Sequence, residues 1–319
     1  MNLQWDILLN DDTRFPRLLF FGEFSDERFR YGINDQLQYC LYFYFSADSR
    51  NIPAEPLIRA NLSLEEKTEE GRPALVLTLL NDSAKNLFSD LIVSIVSQVR
   101  IIEPRAAKAG FIALCNEWSE LFEPLSGQLS RAELQGIFAE LSFLKYLLTN
   151  SRLTYNDILT AWKGPFGKGH DFELGDHHFE IKGIAEFKSF VQISSEYQLD
   201  YLNGQELFLG IMELGSDPAL LVTLTDLVSE IAAILRSVTG TNMNLFWAPL
   251  GKTGLNYSSL QDYDHHRFMV KNVTYYNCGS PDFPALKRAG IADTIRNVRY
   301  DLALNGLQDF LINDITPFI

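Results

Sequence analysis

Asp171, Glu180 and Lys182 are the residues of this chain whose types and spacing point most directly to chemistry. They lie in the segment from His170 to Gly183, where two short alternating runs flank Gly175 and Asp176. Glycine first in a two-residue loop suits a tight hairpin turn. With those two residues as the loop, Leu174 pairs with His177, Phe172 with Phe179, and Asp171 with Glu180. Strand side chains alternate between faces. One face then collects Phe172, Leu174, Phe179 and Ile181, an apolar set for packing on a core. The other collects Asp171, Glu173, His178, Glu180 and Lys182. Directly opposed carboxylates stand about 4.5–5.5 Å apart at Cβ and repel each other. A hard divalent cation held by both removes that objection, and oxygen donors favour Mg²⁺, with Mn²⁺ as a substitute. Lys182 follows Glu180 by two residues on the same face. It puts an ammonium one side chain from the metal, where a group orients a water or neutralises a phosphate. Two acids and a lysine around a metal match metal-assisted phosphodiester hydrolysis.

These residues need elements to hold them. Ser130 and Glu133 form a capping box at the start of a helix. Leu134, Ile137, Phe138, Leu141, Leu144 and Leu148 give it an apolar stripe. Glu140 sits about 90° from the centre of that stripe, at the edge of the buried face. A short helical stretch through Ile158 leads into the loop 162–170, with three glycines, a proline and two lysines. That loop reads as one that approaches a ligand, or equally as a surface connection. Short strands follow to about Gly215, then a helix carrying Leu227, Ile231, Ala232, Ile234 and Leu235. The last seventy residues mix strand and turn, with a basic cluster (Lys287, Arg288, Arg296, Arg299) and a final amphipathic run from 300 to 312.

Upstream, residues 1 to about 80 read mostly as strand: 17–21, 37–45, the alternating 58–64, and 74–80. The acidic stretch 65–71 reads as a charged turn. Asn81, Asp82 and Ser83 look like a helix cap, and Leu87, Leu91, Ile92, Ile95 and Val96 recur beyond it at helical spacing. A second helix is expected over about 106–122. This part is α+β, and no constellation in it suggests chemistry.

Asp171, eight residues, then Glu180, Ile181 and Lys182 on a hairpin resembles the motif of the PD-(D/E)xK nuclease superfamily. His170 stands where the motif name has proline. The resemblance extends to Gly136 through Glu140 on the upstream helix, Ala161 through Pro165, Asp171 and Phe172, Val191 through Ser195 with Gln198 and Leu199, and Phe283 with Pro284. These features are similar to a bacterial family labelled only "PD-(D/E)XK motif protein", whose members are often found beside restriction and phage-defence genes. The N-terminal third matches in pattern alone. The resemblance implies an α/β fold: a restriction-endonuclease-like mixed central sheet flanked by helices, over 126–319, behind an N-terminal α+β domain over 1–125. It implies a Mg²⁺-dependent DNA endonuclease acting in restriction or phage defence. Asp171 and Glu180 would bind the metal, with the Ile181 carbonyl as a third ligand. Glu140 would complete the shell or hold a water beside it. Lys182 would position the nucleophile. Double-stranded DNA is the implied substrate. Cutting both strands is easiest for a homodimer. ATPase, helicase or methyltransferase subunits of a defence system are the implied partners.

Weaker candidates surround this set. Lys163 and Lys168 in the glycine-rich loop, and the C-terminal basic cluster, are candidates for phosphate contact. Gln192 and Ser194 alternate on one strand face and are candidates for the cleft wall. His178 falls on the acidic face and is a substrate-binding candidate. Gly251, Lys252 and Thr253 resemble the end of a phosphate-binding loop, but Phe246 stands where its first glycine is needed. His177–His178 and His265–His266 suggest zinc at first sight. Adjacent strand histidines point to opposite faces, and no cysteine partner is near, so neither pair can chelate by itself.

Length and composition bound the rest. The chain has 319 residues, 46% hydrophobic and 21% charged, enough for a sizeable core. No apolar stretch approaches a membrane span, and the first residues lack the pattern of a secretory signal. Cys40, Cys115 and Cys278 are isolated, which fits buried thiols in a reducing cytoplasm. The formal charge of −14, from 41 acidic and 27 basic residues, speaks against general affinity for phosphate. Residues 1–250 hold 34 acids and 20 bases, whereas 251–319 hold seven of each. Any DNA contact is therefore expected to be local and metal-dependent. Two other classes stay open. One is a non-catalytic DNA-binding or adaptor subunit of a defence complex. The other is a retaining glycosidase using paired carboxylates, which would have no need of Lys182.

Overall fold

The computed structural model describes residues 3–9, 15–22, 26–46, 57–123, 128–167, 169–202, 204–255 and 257–319. The chain forms two compact units, one of 1–126 with 242–251 and 255–259, the other of 127–241 with 252–254 and 260–319.

In the first unit, helix α1 (Trp5–Leu9) precedes strands β1 (Arg17–Phe20), β2 (Phe29–Ile33), β3 (Tyr39–Tyr44), β4 (Leu57–Ile58), β5 (Leu62–Glu69) and β6 (Arg72–Leu79). They make one antiparallel sheet in the order β1-β2-β3-β6-β5-β4. Helices α2 (Lys85–Val99) and α3 (Pro104–Ser119) follow. Central β3 is buried along its whole length, as its unbroken aromatic and apolar run requires. Phe43 stacks on Phe111 of α3 at 5.0 Å between ring centroids. Two expectations change here. The alternating run 58–64 is not one strand. Arg59 N–H bonds to Leu62 O, and buried Asn61 donates to Phe122 O at 2.8 Å, so a pinned turn separates β4 from β5. The acidic stretch 65–71 is mostly strand, with the turn confined to Glu70 and Gly71. Beyond two-residue β4 this part of β5 is a sheet edge, where charged side chains face water and discourage pairing with another chain.

In the second unit, α4 (Arg131–Asn150) and α5 (Tyr155–Ala161) precede β7 (Phe172–Leu174), β8 (His177–Ala185), β9 (Phe190–Ile193), β10 (Glu206–Leu214), β11 (Val222–Thr223) and α6 (Leu224–Arg236). Next comes α7 (Asn244–Lys252), whose residues through Gly251 belong to the first unit; Trp247 there donates to buried Asp90 at 2.8 Å. The chain closes with β12 (Arg267–Phe268), β13 (Val270–Asn277), β14 (Tyr300–Ala303) and β15 (Leu311–Ile312). The run 300–312 is thus two short strands joined by 3₁₀ turns. The expected domain boundary falls on 124–127, outside the described residues.

The second unit is built on a mixed sheet in the order β15-β13-β10-β8-β7. β8 and β10 are parallel, and the other pairs are antiparallel. Helix α4 lies on β8, and α6 on α4. α4 begins with the expected capping box, Ser130 Oγ accepting from Glu133 N–H and Glu133 accepting from Ser130 N–H. Its stripe is buried, and Phe143 meets Phe172 and Phe179 at 5.0 and 5.1 Å. Helix and sheet approach closely at Gly183, where a Cβ would stand 2.7 Å from Gln135 O. That approach sets the helix face carrying Glu140 over the strand carrying Glu180.

Candidate active site

The hairpin has the register expected from its turn: Leu174 opposite His177, Glu173 opposite His178, Phe172 opposite Phe179. Asp171 lies one residue before β7. Its Oδ2 accepts the Ile181 N–H at 2.7 Å, which ties it to the strand carrying Glu180 and Lys182. The face that carries the acids is largely enclosed. Glu180 is 1% exposed.

Loop and helix complete the enclosure. Lys163 and Gly164 N–H both bond to Asp171 O, at 2.8 and 3.0 Å. The loop entering from α5 is thereby folded onto the hairpin. Trp162, itself buried, donates its indole N–H to Glu140 Oε2 at 3.0 Å. At Gly164 a Cβ would collide with Glu140 Oε2 and stand 3.0 Å from Asp171 Oδ1. Only glycine leaves room for both carboxylates at this backbone.

Three acids therefore converge on one lysine. Lys182 Nζ is 2.7 Å from Glu180 Oε1, close enough to pair charges, yet at an angle that leaves this buried oxygen without a well-directed hydrogen bond. Burial and the charge of Asp171 push Glu140 up to about 8, against the opposing pull of Trp162 and Lys182. Burial raises Asp171 and Glu180 as well, with the charge of Glu180 adding to the first and that of Glu140 to the second. Burial disfavours the Lys182 ammonium, but Glu180, Asp171 and Glu140 outweigh it and hold its pKa above the ordinary lysine value. One ammonium cannot balance three carboxylates in a low-dielectric site. The under-bonded Glu180 Oε1, the Gly164 cradle and the all-oxygen donors fit a hard divalent cation. A strand residue's N–H and C=O leave the same edge. Ile181, donating to Asp171, thus directs its carbonyl toward the same side.

The acids open into a cleft of about 1090 Å³ whose walls include Gly164, Asp171, Glu180, Ser194, Tyr197 and Arg299. Other sequence candidates divide around it. Ser194 lines the cleft; Gln192 does not, because β9 leaves the central sheet and pairs with β14, with Gln192 opposite Asp301. Lys163 brings its backbone to Asp171, while its side chain is not part of the cleft wall. Lys168 lies outside the described residues. Arg299 alone of the C-terminal cluster lines the cleft. Lys287 is held by the ring and hydroxyl of Tyr201, and Arg288 by Asp293. His178 lines the cleft opposite Glu173 and turns its ring to His170, with their Nδ1 atoms 2.9 Å apart.

A mixed sheet with an acid–x8–acid–x–lysine hairpin, over which the preceding helix sets a glutamate, is the restriction-endonuclease-like architecture of the PD-(D/E)xK class. The chain matches, over residues 6–305, the family described as "Putative PD-(D/E)XK family member, (DUF4420)", and it belongs to that family. No curated protein and no solved structure matches it. Among the described residues, no helix is long and apolar enough to cross a membrane.

Proposed function

We propose that this protein is a Mg²⁺-dependent DNA endonuclease, with Mn²⁺ as a substitute, serving restriction or phage defence. The observation that carries this reading is the convergence of Glu140, Asp171 and Glu180 on Lys182, packed against Gly164. Asp171, Glu180 and the Ile181 carbonyl hold the cation, and Glu140 completes the set. When bound, the cation supplies charge to polarise the phosphodiester and to lower the pKa of water. Lys182 orients the attacking water and offsets the charge that builds on the phosphorane. Trp162 holds Glu140 in place. Arg299 and Ser194, on the cleft wall, contact the DNA backbone. A chain of net charge −14 repels phosphate elsewhere, so DNA engagement depends on the cation and on these local groups. A homodimer presents two such sites to the two strands, and an ATPase, helicase or methyltransferase subunit directs it to its targets. Incubation with methylated and unmethylated phage DNA and Mg²⁺ or Mn²⁺ tests this. Metal-dependent cutting of either substrate supports it. DNA binding without cutting under either metal favours a non-catalytic adaptor.

A further inference from the structure

We infer that His170, Glu173 and His178 form a second metal site, for a transition-metal ion of the Zn²⁺ class, distinct from the hard-cation site at Asp171 and Glu180. His170 and His178 are each 5% exposed, and their rings meet edge to face. Their outer nitrogens both face backbone carbonyls: His170 Nε2 is 2.8 Å from Asp200 O, and His178 Nε2 is 3.3 Å from Gly175 O. A carbonyl only accepts, so each Nε2 carries its proton. In the neutral rings each Nδ1 is then a bare lone pair, and the two face each other at 2.9 Å. Buried lone pairs so opposed repel, and a cation between them removes the repulsion.

The rest of the geometry fits an ion. At metal–nitrogen distances of about 2.0–2.1 Å, donors this far apart subtend about 90°, the angle between neighbouring ligands of a six-coordinate ion such as Co²⁺ or Ni²⁺, narrower than four-coordinate zinc adopts. Backbone carbonyls that fix the tautomer of a ligating histidine are the usual outer partners of such sites. Glu173 supplies a third donor: one atom from each of the three residues lies within 4.8 Å of the other two. Gly169, with φ of +76°, leaves room for that carboxylate, since a Cβ there would collide with Glu173 Oε1. Two imidazoles and one carboxylate suit Zn²⁺, Co²⁺ or Ni²⁺ and do not suit Mg²⁺. The ion would fasten the hairpin turn, the residue before Asp171 and the 200 region to one another. This inference does not rest on the nuclease reading.

The test uses full-length Asp171→Asn/Glu180→Gln protein, stripped with EDTA and titrated with Co²⁺ in excess Mg²⁺, with visible absorption and calorimetry as readouts. About one Co²⁺ is expected per chain, with ligand-field bands of a nitrogen-ligated ion. Adding His170→Asn and His178→Asn should abolish that binding. Because the histidine variants risk misfolding, Glu173→Gln is measured too. It should keep the circular dichroism of its parent and bind Co²⁺ roughly 10–100-fold more weakly. Absence of stoichiometric Co²⁺ binding, the outcome if the two histidines merely share a proton, overturns the proposal. So does binding that neither the histidine nor the Glu173 substitutions weaken.

Discussion

Trp162 reaches across from the end of α5 and gives its indole N–H to Glu140 on α4, 3.0 Å away. It ties helix to loop at the acids, side chain to side chain. It opposes the burial and repulsion that favour a protonated Glu140. Trp162→Phe keeps the bulk and removes the donor. The stability of the metal-free variant should fall by about 0.5–1.5 kcal/mol, the usual net scale for a hydrogen bond to a neutral group. The Mg²⁺ concentration for half-maximal cleavage should rise by roughly tenfold at pH 7, read from a metal titration of the wild-type and variant proteins.

Gly164→Ala places a methyl against Glu140 Oε2 and close to Asp171 Oδ1. Cleavage should drop by about 10²-fold, the scale expected when metal-site geometry is displaced, while circular dichroism stays unchanged. Gly136→Ala on α4 is the control. Nothing lies within 4 Å of the added Cβ. It should retain activity and gain roughly 0.5–1 kcal/mol in thermal or urea unfolding, since alanine is the better helix former.

The raised carboxylates give the metal-free protein a pH dependence of definite sign. Unfolded Glu140 ionises near the ordinary glutamate value of 4.5, whereas the folded residue holds its proton to about 8. Between these values the unfolded state binds fewer protons, so stability falls as pH rises. Below about 4.5 the contribution is fully present, and by about 8 it is lost. Melting curves in EDTA from pH 5 to 8 should show this decline, with a shallower slope for Glu140→Gln. Mg²⁺ displaces the same protons, so its affinity should increase across that range.

In the first unit, Lys108 is fully buried, its ammonium 2.8 Å from Glu66 and 4.3 Å from the centre of the Phe45 ring. Glu66→Ala strands that charge and should destabilise by about 1–3 kcal/mol, less than a fully enclosed pair because Glu66 is partly exposed. Lys108→Met should be close to neutral. Urea unfolding of both variants checks the difference.

The hairpin was legible because its register follows from one glycine turn and strict alternation, both local. The capping box of α4 and the stripe that turns Glu140 toward the sheet were legible for the same reason. What escaped the sequence depends on distant packing. Nothing in the types of Trp162 and Glu140 says that they bond across 22 residues. Gly164 reads as one of three loop glycines until two carboxylates are seen against it. Adjacent histidines drew notice as chelators, yet the pair that brings ring nitrogens face to face is His170 and His178, joined by the fold of the hairpin. Asn61 broke an alternating run by burying its amide, and Trp247 drew 242–251 into the first unit through Asp90.

The most direct measurement is cleavage of supercoiled DNA in Mg²⁺ by wild-type, Asp171→Ala, Glu180→Ala and Lys182→Ala proteins purified alike. The wild type should nick or linearise the DNA. Each variant should be slower by at least about 10²-fold, as for loss of a transition-state donor or a metal ligand, with unchanged circular dichroism. Full Mg²⁺-dependent cleavage by the Asp171→Ala and Lys182→Ala proteins would contradict the account.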